Sequence, residues 1–453
     1  MRKKNARLTQ GPVGRCLFYL TLPMSIGIFA MVAFNFADTY FVSKLGTKHL
    51  AAMGFTFPVV LLIHSIALGL GMGAAAVISR AIGKGNFLLV RRLTTDSLFL
   101  GIVIVVGLVG AGLLTINPLF RLLGATDETL PLIRKYMSVW YIGMIFVVVP
   151  MVGNNAIRAT GDTKIPGLIM LIAAGLNFAM DPILIFGLYG FPRLGIAGAA
   201  LATVIGRATT MIISLSVLHF RERMLDLSLP SLREILDSWK KILYIAIPTA
   251  ATNLLNPLSM GVITRLVAGF GKEAVAGVGA GLRVEAFAIM PIRALSATLI
   301  PFTGQNFGAG KWDRVKSAQF VSVLFSLGWG LLCFLLFLPT APKIAGIFSR
   351  DPKVVTVTIH FLRIVSLGYG MQGICLLAAA AFNALNRPIH ASILNIVRMF
   401  VLYIPLAWIG ASFFHVDGVF SGIVLANLAA GILSMYWLRR MLREKTERLS
   451  GQR

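Results

Sequence analysis

Apolar stretches of roughly twenty residues or more follow one another along this chain, each long enough to cross ~30 Å of hydrocarbon as a helix. Short turns carrying Arg and Lys separate them. Backbone inside hydrocarbon must satisfy its own hydrogen bonds, which leaves helices or closed barrels. Barrel strands alternate in and out over ~10 residues, and that pattern is absent. The fold class is therefore an all-α membrane protein. A chain that is 57% hydrophobic and 13% charged, with a mean hydropathy of +0.83, is too apolar for a domain whose surface faces water.

Cutting at charged or Gly/Pro-rich turns gives twelve spans: 16–42, 48–79, 94–118, 133–158, 164–189 and 194–219, then 242–268, 274–307, 317–347, 355–384, 389–412 and 417–438. The expected organisation is an amino-terminal six-helix lobe (1–219), a polar cytoplasmic linker (220–241), a carboxy-terminal six-helix lobe (242–438) and a basic tail (439–453). The basic N-terminus is followed by an apolar run to Val42 without a small-residue cleavage site, so it reads as a retained first span and not as a signal peptide. With the N-terminus cytoplasmic, the inside segments carry well over twice the Lys and Arg of the opposite loops, which places both termini inside. The net charge of +25 is then topogenic and not a nucleic-acid surface.

Cys16, Cys333 and Cys375 lie in apolar segments without CxxC spacing, so neither disulfides nor a metal centre is indicated. No P-loop, HExxH or GxSxG is present, which argues against ATP-driven transport and against an enzyme.

The halves repeat. An offset of 225 pairs Pro23 with Pro248, Gly46 with Gly271, Gly54 with Gly279, Gly83 with Gly308 and Gly85 with Gly310. An offset of 223 then pairs Pro182 with Pro405, Gly187 with Gly410 and Gly195 with Gly418. An even number of spans per half makes these parallel repeats about an axis along the membrane normal, with a path for substrate between or within the bundles.

The symmetry breaks at two acids. Asp38 aligns with Ile263 and Asp181 with Ile404. An intramembrane carboxylate costs ~2.5–3.5 kcal/mol on insertion scales, so such residues usually face a polar interior and serve transport. Spans one and five run the same way and carry their Asp in the later part, at one depth. Asn35 and Asn177 precede the acids by three and four residues, on the same helix faces. Two close carboxylates in low dielectric do not both ionise, so a proton is held or a cation binds between them. The bland alternative is that each Asp bonds to a neighbouring helix.

Pro182 opens a turn whose carbonyls face a cation, or simply kinks the helix, as Pro405 does without an acid. Glu285, close to Arg283 and Arg293, reads first as a structural ion pair and second as a transport group. His64 and His360 stand on apolar spans without partners at metal-ligand spacing. Met24, Met31, Phe34 and Phe36 offer an adaptable apolar lining for a substrate cavity, or plain packing.

LPMSIGIFAMVAFNFADTYFVSKLG in span one, NNAIRATGDTK at the end of span four and NFAMDP in span five together resemble the multidrug and toxic compound extrusion (MATE) transporters, most closely their prokaryotic DinF-type branch. The resemblance implies a V-shaped pair of lobes in the cytoplasmic (inner) membrane of a prokaryote. It implies multidrug efflux, with cationic or amphipathic xenobiotics antiported against H⁺ or Na⁺ by alternating access. It implies a cation site, for a proton or Na⁺, at Asp38, Asn177, Asp181 and Thr203. Asn154 would lie near that site, Tyr40 beside Asp38, and Pro23 at the bend of span one, all with Asn35 as cavity or gating residues. The NorM-type branch couples through acids on spans seven and ten, where this chain has none.

Expected partners are small-molecule drugs or metabolites and membrane lipid, without nucleic acid or a cofactor beyond the coupling ion, for a chain acting as a monomer. Two rivals remain: a flippase for lipid-linked or polysaccharide precursors, kept open by Arg207, Arg265 and Arg398, and a passive channel or scaffold.

Overall fold

The computed structural model describes residues 6–226, 228 and 231–450 and, within them, every side chain but those of Asn35, Leu50 and residues 445–450. The described residues are helical almost throughout and contain no strand. The first six spans are α1 (Val13–Ser43), α2 (Thr47–Gly83), α3 (Phe87–Leu122), the broken pair α4 (Leu130–Gly143) and α5 (Ile145–Ala159), α6 (Lys164–Phe186), and α7 (Ile196–Ser216). The next four are α8 (Leu232–Ala268), the pair α9 (Lys272–Ala288) and α10 (Met290–Gly308) bent by 45°, α11 (Trp312–Phe348), and the pair α12 (Pro352–Val365) and α13 (Tyr369–Ala384). The last two run through α14 (Pro388–Ile396), a π-helical stretch Val397–Tyr403 and α15 (Ile404–Ser450). Within α15 the backbone breaks at Phe414 and His415, the latter at φ 53°, so the helix holds parts of two spans.

Among the described residues nine helical runs are long and apolar enough to cross a membrane, and ten with the bent α9–α10 pair. The break at His415 divides one of these in two, and the more polar α8 completes the twelve expected spans.

The duplication is visible in the backbone. Gly46 and Gly271 precede α2 and α9 at φ 107°, ψ 169° and φ 108°, ψ 166°, a conformation that a side chain would strain. Gly85 and Gly310 repeat the pattern at φ 73° and 70°.

Packing divides the chain into two compact units, and the division does not fall in the linker. Among the described residues, one unit comprises Leu22–Ala250 with Ala6 and Arg7, and the other comprises Leu8–Thr21 with the chain from Ala251 to Ser450. The divisions between the units fall within α1 and α8, and the described residues of 220–241 belong to the first unit. In the first unit a Cβ on Gly69 would lie 2.5 Å from the Ala246 carbonyl, so α2 and the early part of α8 meet backbone to backbone. The polar segment before α8 is bonded to α3: Arg91 donates to the Leu225 carbonyl at 3.0 Å, Asp226 N–H to the Thr95 hydroxyl at 2.8 Å, and Trp239 Nε1 to the Asp96 carbonyl at 3.0 Å.

The second unit holds the start of α1 in the same manner. Leu8 N–H donates to Gln305 Oε1 at 3.1 Å, and Arg314 donates to the carbonyls of Leu8, Gln10 and Gly11. Leu8, Leu17 and Leu20 pack on Leu295, Leu299 and Phe302. Polar side chains and backbone groups thus anchor both segments by hydrogen bonds.

Candidate functional site

Helices α1 and α6 touch at their backbones, because glycine leaves room there. A Cβ on Gly167 would lie 2.6 Å from the Pro23 carbonyl, and one on Gly27 would lie 3.0 Å from Gly167 Cα. From that contact Asp38 is fifteen residues along α1 (38 less 23) and Asp181 fourteen along α6 (181 less 167). At ~1.5 Å per residue the two acids stand ~22 and ~21 Å from it, at one height on parallel spans.

Both carboxyl groups are buried: Asp181 is 0% exposed and Asp38 8%. Asn177, one turn before Asp181, is held between that acid and α7. With the amide oriented to satisfy its neighbours, its nitrogen donates to Asp181 Oδ2 at 2.8 Å and its oxygen accepts from the Thr203 hydroxyl at 3.2 Å. The second oxygen of each acid, Oδ1 of Asp38 and of Asp181, meets no protein donor. Neither acid has a salt-bridge partner among the described residues, and the two lie within electrostatic reach of one another. The buried hydroxyl of Tyr136, on α4, lies within reach of both.

Two unpaired negative charges in this setting would be costly, since a buried ion without a partner loses several kcal/mol of hydration. A bound proton or an oxygen-seeking monovalent cation removes that cost. The donors on offer are carboxylate, amide and hydroxyl oxygens, which suit a hard cation. No group of three or more His, Cys, Asp or Glu gathers as a metal site among the described residues. The equivalent place in the second repeat is apolar. Ile263 answers Asp38 and Phe361 answers Tyr136, and both belong to a core with Val267, Val278 and Val365.

A cleft of about 20 Å³ adjoins the pair, lined by Met31, Phe34, Met170, Asn177, Thr203 and Arg207. Met31 and Phe34 are on the wall of this cleft. Arg207 is half-buried and lies within electrostatic reach of His64.

The remaining expected residues fall as follows. Pro23 sits at the α1–α6 contact, one residue beyond the boundary between the units. Asn154 is buried on α5 with its Oδ1 unbonded, and no hydrogen bond ties it to either acid. Tyr40 turns away: its ring is 57% exposed and lies against Phe41 and the Lys44 ammonium, because two residues along a helix from Asp38 is the opposite face. The side chain of Asn35 lies outside the described residues. Glu285 does not pair with the exposed Arg283; it accepts from Gln372 Nε2 at 3.1 Å. His360 is bonded through Nδ1 to Asp417 at 2.9 Å. Two groups escaped the sequence reading. Tyr136 follows Arg134 and Lys135 near the predicted start of a span and has no acid or amide at helical spacing to single it out. Asp96 is buried in the first third of α3 and paired with Arg92 at 2.9 Å, an i,i+4 spacing that the sequence does display.

The MatE family model matches residues 23–183 and 248–409, most of each repeat. The chain is 39% identical over 434 residues to the FAD transporter of Shewanella oneidensis, covering 96% of both proteins. It is 26% identical over 445 residues to the multidrug export protein MepA of Staphylococcus aureus, covering 97% of both. Its structure is similar to that of the Vibrio cholerae MATE transporter VcmN in the bent form, with TM-score 0.91, 31% identity and 95% and 97% of the two chains covered. With two repeats matched, twelve spans and these relatives, the chain belongs to the MatE family and is a multi-pass membrane transport protein of the multidrug and toxic compound extrusion class.

Proposed function

We propose that the protein is a secondary active exporter that antiports a flavin dinucleotide, or a nucleotide like it, against H⁺ or Na⁺ by alternating access. The carrying observation is the buried pair Asp38 and Asp181, each with an oxygen that no protein donor meets. Such a pair changes charge when an ion binds or leaves, and a conformation that favours one charge state is thereby driven by the ion gradient. The substrate class rests on the 39% relative, named as an FAD transporter, whose likeness runs over nearly the whole chain. The chain's own residues agree with a negatively charged cargo, since the half-buried Arg207 lines the cleft beside the two acids. Both termini are cytoplasmic in this reading, from the Lys and Arg bias of the loops, so transport runs outward.

Multidrug efflux of cationic or amphipathic compounds is the second reading, favoured by the MepA relatives and by the Met31, Phe34 and Met170 lining. Proteoliposomes under a separately imposed H⁺ or Na⁺ gradient decide. FAD accumulating uphill supports the first reading, and uphill movement of an organic cation without FAD supports the second. Flux that only ever runs downhill contradicts both.

A further inference from the structure

The second unit contains a polar cluster that the repeat does not explain. Glu285 on α9, Arg293 on α10 and Arg398 on the π-helical stretch align with Val60, Leu68 and Gly175, so none has a counterpart in the first repeat. The 45° bend between α9 and α10 separates Glu285 from Arg293. Gln372 on α13 donates to Glu285 at 3.1 Å, and the carboxylate lies within electrostatic reach of both arginines. The hydroxyls of Tyr369 and Tyr403 lie within reach of the same carboxylate.

Arg398 is only 4% exposed, yet its Nε meets no protein acceptor, and its guanidinium makes a weak contact to Met399 Sδ at 3.9 Å. Gln372 Oε1 and the Tyr369 hydroxyl, which is on a fully buried ring, are also without partners. Arg293 is exposed, so the cluster opens on its side. Two guanidinium groups lie within electrostatic reach of one carboxylate, so the buried Arg398 shares its only nearby counter-charge with the exposed Arg293. A purely structural pair would not leave the buried Arg398 Nε without an acceptor, because an unsatisfied buried donor on a charged group is costly. π-Helical turns of this kind are frequent at functional sites.

We propose that this cluster is an anion-binding site, in which Arg398 and Arg293 take a phosphate or diphosphate group and Glu285 orients them while the site is empty. The planar guanidinium forks match phosphate oxygens two at a time, and Gln372 and Tyr369 supply further polar contacts. Naming that group as the diphosphate of the exported dinucleotide rests on the function proposed above, whereas the anion site itself rests on the cluster.

Binding to purified full-length protein in lipid nanodiscs tests it, with FAD, inorganic pyrophosphate and phosphate-free riboflavin as probes. Arg398→Gln is compared with Arg293→Gln and with the conservative Arg398→Lys. FAD and pyrophosphate binding weakened about tenfold or more by either Gln variant, partly restored by Lys, with riboflavin unaffected, is the expected result and matches the loss of a charge-assisted hydrogen bond. FAD bound equally by wild type and both Gln variants overturns the site and leaves flavin export standing. Pyrophosphate bound through Arg398 without FAD keeps the site and removes the flavin cargo. Neither probe bound by the wild type overturns both.

Discussion

Asp38 and Asp181 are the residues on which ion coupling depends, and their burial without a cationic partner is what sets them apart from the chain's other acids. Asp96, by contrast, is compensated by Arg92 at 2.9 Å and is structural. Replacing Asp38 or Asp181 with Asn should reduce gradient-driven export about tenfold or more, within the ~5–150-fold range of typical couplings. Membrane insertion and thermal unfolding should hold or improve, because a neutral amide is cheaper to bury; flux under a gradient, with unfolding followed in detergent, checks both. Asn177→Ala should weaken coupling less, since it removes a hydrogen bond to Asp181 and leaves the acid. Both acids were legible in the sequence because they interrupt a repeat whose other half is Ile at each place. Tyr136 was not, because a single tyrosine carries no periodicity. Arg398 was visible only as a stray arginine, since its neighbours Glu285 and Gln372 come from spans far apart in the chain.

Helices α1, α6 and α7 hold the site by approaching more closely than side chains permit. A Cβ on Gly198 would lie 2.4 Å from the Leu184 carbonyl, so α7 rests directly on α6. Gly198→Ala should therefore destabilise the protein by about 1–3 kcal/mol, the usual scale for overpacking. Gly107→Ala, on an open face of α3, should be neutral or stabilising by at most ~1 kcal/mol. Comparing their unfolding midpoints in detergent checks the contrast; equal losses would mean that close backbone packing is not what orders α6 and α7. The spans themselves were plain from hydropathy. Their internal breaks were less so: the one at Met144 carries no proline or charge signal, whereas the bend at Ile289 is followed by Pro291 in the first turn of α10, a signal the span boundaries did not use.

At the scale of the whole molecule, the duplicated halves were readable from matched Gly and Pro, but the compact units were not, since their boundaries lie inside helices at Thr21 and Ala250. Sequence polarity marks where chain leaves the membrane; it does not report which helices a segment packs on. One consequence is checkable by hydrogen exchange. Arg314→Ala should speed exchange in residues 8–21 several-fold while leaving α2 to α7 unchanged, because that side chain gathers the carbonyls of Leu8, Gln10 and Gly11. Ion and substrate need share no atoms in such a molecule, since each must only bind the two conformations unequally, and the effect of one on the other is then reciprocal. That reciprocity gives the most direct test of the central claim: the release of H⁺ or Na⁺ when substrate is added to the purified transporter. Release in the wild type that disappears in the Asp38→Asn, Asp181→Asn double variant is the predicted result. Undiminished release from that variant would contradict the account.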